Sequence, residues 1–257
     1  MTFVGGPSIL TGNVLDALEQ RKVKASFIPV ISHLNDVSIV ANLQRAAQDG
    51  HLIGLCLEQS LNSTAMRGPT DASTSNYADL LKAVDERASI VQGYIGYKPR
   101  FLSIPDYTAW GVDALDAIVK HGYVITTYNI DSYDYRDTDI LRNFKSVLDT
   151  LSPNTKGAFI SVQRDGVAAS VNQTGAIIDY IIEKGYRLVM LDECVGSAMN
   201  TSSNAGGSQR TSTTPSRSTA KDPAMTASSA ASSMSSYTVY LSAASIIAIH
   251  TISVVLW

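Results

Sequence analysis

Short apolar runs alternate with amphipathic stretches along the first 196 residues. Lys24–Val30, Leu52–Leu57, Phe101–Pro105, Tyr123–Tyr128, Ala158–Val162 and Arg187–Leu191 are compact apolar blocks of strand length. A further strand covers the start of the chain, ending in Thr2-Phe3-Val4-Gly5-Gly6-Pro7. Such blocks predict buried strands. Between them, apolar positions recur at helical spacing over Thr11–Gln20, Val37–Gln48, Asn76–Gln92, Trp110–His121, Thr138–Leu151 and Gln173–Lys184. Gly50, Gly122 and Gly185 follow three of these segments and suit left-handed caps. Asp137 is expected to cap the start of the fifth helix. Strand-helix repetition predicts an α/β fold, with parallel strands joined by helical crossovers. About seven such units fit a distorted (β/α)7-type barrel, closed or nearly closed, and periodicity alone equally fits an open doubly wound sheet. In both, function is expected at the C-terminal ends of the strands.

The pattern changes at residue 197. From Ser197 to Ser236 there is no Leu, Ile, Val, Phe, Tyr or Trp, and Ser and Thr dominate. Without apolar side chains to offset chain entropy, this segment is expected to be disordered, as an O-glycosylated stalk or a plain linker. Tyr237–Trp257 then carries no Asp, Glu, Lys or Arg. It is long enough to span a bilayer as a helix, but it has no basic flank. A terminal apolar tail behind a polar spacer matches a GPI-attachment signal, with a tail anchor as the alternative. The expected organisation is therefore a folded domain over 1–196, a stalk over 197–236 and a hydrophobic tail over 237–257.

The whole-chain averages blend these parts. The chain has 257 residues, 45% of them hydrophobic and 17% charged, with a formal net charge of −3. No excess of Lys and Arg supports nucleic-acid binding. Two cysteines cannot build a disulfide framework. The sequons at Asn62, Asn172 and Asn200 fit passage through the secretory pathway. The first residues do not read as a signal peptide, which raises the expectation of an upstream segment.

The strand ends carry the chemistry. "KASFIPV", "GHLIG" over Gly50–Gly54, "KPRFL" over Lys98–Leu102, "NIDSYDY" over Asn129–Tyr135, "GAFISVQRD" over Gly157–Asp165 and "DECVG" over Asp192–Gly196 occur in this order. Together they resemble the motifs of the polysaccharide deacetylases, the NodB-homology family, and most closely the fungal chitin deacetylases. The resemblance covers about residues 1–196. It implies a metal-dependent deacetylase barrel, with zinc or another divalent ion as cofactor and chitin or a related cell-wall polysaccharide as substrate.

The departures from the family pattern decide the expected chemistry. The family's first motif places its catalytic base at Val4 and its first metal ligand at Gly5. Its two histidine ligands fall on Cys56 and Ser60. Its third motif falls on Ser103–Tyr107, retaining Pro105 without the arginine, and its general acid falls on Arg164. Asp131 and Asp134 are retained. Valine accepts no proton, arginine stays protonated, and a lone thiol does not hold a divalent ion. No metal site is therefore expected. His33, His51, His121 and His250 show no metal-ligand spacing. His51 reads as a satisfied strand histidine. Cys56 reads as an inert buried thiol, with a nucleophile as the rival reading. The resemblance pairs Cys194 with an upstream cysteine absent from this chain.

The expectation is a monomeric, catalytically inactive deacetylase-like protein at a fungal cell surface, binding at most cell-wall polysaccharide. Tyr107, Trp110, Tyr128 and Tyr133 are candidate sugar-stacking faces. An active chitin deacetylase and a ligand-free structural wall protein are the alternatives.

Overall fold

A computed structural model describes residues 1–57, 77–105, 110–151 and 157–196. The stalk, the apolar tail, Ser60, Asn62, Tyr107 and Asn200 lie outside the described residues. Two parallel sheets form the centre. One has the order β3-β2-β1-β8-β7, built from β1 (Thr2–Val4), β2 (Ser26–Ile28), β3 (Leu52–Ile53), β7 (Ile130–Asp131) and β8 (Ser161–Gln163). The other has the order β4-β5-β6, built from β4 (Leu55–Cys56), β5 (Phe101–Ser103) and β6 (Val124–Thr126). Every pairing is parallel. The crossover helices are α1 (Thr11–Gln20), α2 (Val37–Gln48), α3 (Ala78–Ile95), α4 (Val112–Lys120), α5 (Ile140–Leu148) and α6 (Ala168–Glu183).

Chain continuity joins the two sheets at both edges. Gly54 passes from β3 to β4, and residues 127–129 pass from β6 to β7. The result is a distorted barrel rather than an open sheet. Gly54 makes the first join possible. A Cβ there would lie 2.5 Å from Ile28 Cδ1 and 2.6 Å from the Phe101 carbonyl oxygen, so only glycine lets the backbones approach.

Alternation along each strand sorts the side chains into two cores. Phe3, Phe27, Ile53, Leu55 and Leu102 face the helices and meet Leu15, Leu18, Leu43, Val84 and Ile118 in the main core. Ile28, Val30, Cys56, Ile160 and Leu191 form a second cluster, with Val4, Leu52, Phe101 and Cys194 packed against it. These second residues hold the opposite strand parity and fill the barrel.

Two helices run where the spacing predicts them, Thr11–Gln20 and Val37–Gln48. Gly50, Gly122 and Gly185 adopt φ of 79°, 101° and 81°, as left-handed caps require. The cap of α5 is Asp139, whose carboxylate accepts the Arg142 amide at 3.2 Å. The expected cap, Asp137, accepts the Asp139 amide and orders the turn before it. The strand expected over Arg187–Leu191 does not form. Residues 187–190 carry no strand pairing, and a helical turn covers 191–196. Both edges of β2 are already taken by β1 and β3, so the Leu191 amide donates instead to Ser26 Oγ at 2.9 Å. The apolar run still packs, with Leu191 buried, but it adds no ladder.

His51 is a structural residue. Its Nδ1 accepts the Ala25 amide at 3.1 Å and its ring meets the edge of Phe27. Burial pushes its pKa down to about 4, so the ring is neutral and serves as an acceptor.

Candidate functional site

The C-terminal ends of the strands bring Val4, Gly5, Cys56, Asp131, Asp134 and Arg164 to one end of the barrel. Two of these positions are apolar filling of the barrel. Val4 and Cys56 sit in the barrel cluster with Ile28 and Val30, and Cys56 is 4% exposed. Valine and a glycine with no side chain contribute no donor atom. Among the described residues, no three His, Cys, Asp or Glu side chains come together. The donors that the described residues place on this face do not fit a divalent ion.

Arg164 is held firmly. Its guanidinium Nη1 donates to Asp134 Oδ1 at 2.6 Å, and its own backbone amide donates to Asp134 Oδ2 at 2.6 Å. Asp134 has a fully buried side chain, whereas that of Arg164 remains 38% exposed. One residue thus satisfies both oxygens of a buried carboxylate. Buried carboxylates need such charge-assisted partners, because desolvation of the anion is costly.

Asp131 shapes the lip above. Its Oδ1 accepts the Tyr133 amide at 2.9 Å, and Tyr133 adopts φ of 53°. The Tyr133 carbonyl then accepts the Arg136 and Asp137 amides at 3.0 and 2.9 Å. A left-handed conformation costs a non-glycine residue about 1–2 kcal/mol. The turn persists because these hydrogen bonds over-determine it, and it holds Tyr133 outward. Tyr128, Tyr133 and Tyr135 are 43%, 37% and 55% exposed. Trp110 offers no comparable face: it is 5% exposed and belongs to the main core. Pro105 is exposed beside this end. Asn172 is exposed on α6, but Thr174 of its sequon is fully buried and donates its hydroxyl to the Ser170 carbonyl.

Asp165 is a site residue to which sequence reasoning assigned no role. It is 1% exposed, and Thr11 Oγ1 donates to its Oδ2 at 2.6 Å. Its Oδ1 has no partner among the described residues. The only sequence signal was its place directly after Arg164. Burial pushes its pKa up. A folded pKa above the unfolded value of about 3.9 gives stability that is complete below that value and is lost as pH rises through the folded value. Asp165→Asn is therefore expected to lose less stability than the parent as pH rises above about 4. Urea midpoints across that range check this, and parallel curves for the two proteins would refute it.

A hollow of about 660 Å³ opens at the opposite end of the barrel, lined by Met1, Phe159, Tyr186, Leu188 and Cys194 among others. None of the predicted catalytic or ligand positions lines it.

No protein-family model matches the chain. A Bacillus subtilis protein described as a polysaccharide deacetylase is 27% identical over 200 residues, covering 75% of this chain and 66% of its own length. The chitin deacetylase of Colletotrichum lindemuthianum is 26% identical over 206 residues, covering 77% of this chain and 79% of its own. The solved structure of the chitin deacetylase from that fungus superposes with a TM-score of 0.58, covering 75% of this chain and 84% of its own at 24% identity. The motif order, the barrel and these similarities agree: the chain is similar in sequence to polysaccharide and chitin deacetylases and shares their fold.

Proposed function

We propose that this protein binds cell-wall polysaccharide at the C-terminal end of its barrel and does not hydrolyse it. The observation that carries this reading is the pair of replacements at the reactive centre. Val4 and Cys56 extend the apolar filling of the barrel to the positions of base and ligand, and Arg164 is spent on Asp134. A guanidinium that stays protonated cannot give a proton to a leaving amine. A valine cannot take one from water. The relatives supply the substrate class: one is named as a chitin deacetylase. The Ser/Thr-rich segment and apolar tail support display at a fungal cell surface through a GPI anchor, and the protein acts there as a monomer.

The test is acetate release from chitin oligomers by the purified full chain with added zinc, cobalt or manganese. The expected rate equals that of the protein-free control. Release that needs both protein and metal would establish the active deacetylase instead. Retention on a chitin matrix at low salt is expected, and its absence from both chitin and other wall polysaccharides would favour the ligand-free structural protein.

A further inference from the structure

The lip beside the filled centre carries a feature that neutral sugars do not require. The Arg136 guanidinium lies 4.1 Å from the centroid of the Tyr133 ring and 5.8 Å from that of Tyr135. The Arg164 guanidinium lies 4.9 Å from the Tyr135 centroid. The two tyrosine rings stand edge to face, 6.1 Å apart. Two guanidinium groups and two exposed rings thus form one continuous surface.

The charges around it are unevenly matched. Asp134 is paired with Arg164, and Asp137 and Asp139 are paired with Arg142. Asp131 opposes an anion here, as does the charge left over where Asp137 and Asp139 share one arginine, and one Asp131 oxygen is already engaged by the Tyr133 amide. Arg136 is exposed and has no ion pair or side-chain hydrogen bond among the described residues. The Tyr133 ring holds the guanidinium 4.1 Å from its centroid, and no side-chain acceptor among the described residues takes its N–H groups. A planar, pre-positioned guanidinium suits bidentate recognition of a carboxylate. The strained turn at Tyr133 holds that arrangement in place.

We infer that the Tyr133–Tyr135–Arg136–Arg164 lip takes a uronic-acid residue of an acidic glycan, with Arg136 on the carboxylate and a tyrosine ring under the sugar. This rests on the polysaccharide-binding reading above and narrows it to anionic chains. A neutral N-acetylated glycan could use the rings but would leave Arg136 without a partner.

The test titrates the full chain with tetragalacturonic acid, its methyl ester and chitotetraose, by calorimetry at low and moderate salt. The acid is expected to bind about tenfold more tightly than its ester, and more weakly as salt rises. Arg136→Gln is expected to remove about that tenfold preference, with Arg136→Lys intermediate. Arg136 is exposed, so an unchanged melting temperature confirms that the variants fold. Equal binding of acid and ester, or an Arg136→Gln preference equal to the parent's, overturns the inference. Binding of chitotetraose alone overturns it while leaving the polysaccharide reading standing. Binding of none of the three ends both.

Discussion

Arg164→Ala is expected to destabilise the fold by about 3 kcal/mol, the lower part of the range for breaking a buried ion pair from one side. Among the described residues, Asp134 has no other ion-pair partner. Its side chain is fully buried, and the arginine supplies one of its two hydrogen bonds at 2.6 Å from the side chain. The backbone amide of residue 164 survives the substitution and keeps the loss below the top of the range. Arg164→Lys keeps a charge but not the placement of the Nη1 donor, so it should fall between the parent and alanine. Asp134→Asn combined with Arg164→Gln removes both charges together. That double variant is expected to recover most of the loss, because an uncompensated buried charge, not a missing contact, is the main cost. Urea unfolding of the four proteins measures this. A loss below about 0.5 kcal/mol for Arg164→Ala would mean that Asp134 is effectively solvated and that the pair is incidental.

Gly6→Ala is the second large effect, also about 3 kcal/mol, at the upper end for overpacking. A Cβ on residue 6 would lie 2.1 and 2.2 Å from the two carboxylate oxygens of Asp165 and 2.4 Å from its Cγ. The carboxylate cannot swing away cheaply. Thr11 Oγ1 holds one oxygen, and Ser8 Oγ donates to the Asp165 carbonyl at 2.7 Å. Asp165→Ala in the same chain takes the obstructing atoms out. The double variant should therefore be more stable than Gly6→Ala alone, although each single change is destabilising. Thermal melts of the three variants decide it, and simple additivity would show that the Gly6 backbone, not the clash, sets the cost.

Both effects lie in contacts between the ends of β1, β7 and β8, and these contacts explain what sequence reasoning could reach. The residue types Val4, Asp131, Asp134 and Arg164 at the strand ends were all legible, because each can be read from the sequence position by position. That Arg164 bonds to Asp134, 30 residues away, was not. Nor was the hydrogen bond of Thr11 to Asp165, across 154 residues. Trp110 looked like a stacking face by type, but the start of α4 turns it into the core. Arg136 was overlooked because a single arginine in a loop carries no pattern. It matters through the positive φ at Tyr133, which nothing in the local sequence demands.

The sequence by itself determined the α/β alternation, the two helices whose ends it placed, the glycine caps and the residue types that stand at the strand ends. These follow from periodicity and side-chain type, which are local properties. Only the tertiary structure decided that the sheet curves into a barrel through Gly54, that the block at 187–190 joins no ladder, and that Val4 and Cys56 join the apolar filling of the barrel. Those outcomes depend on which strand edges are already occupied and which side chains meet across the closed ring. Such competition between distant segments is settled by packing and hydrogen-bond satisfaction, and neither acts until the chain has folded.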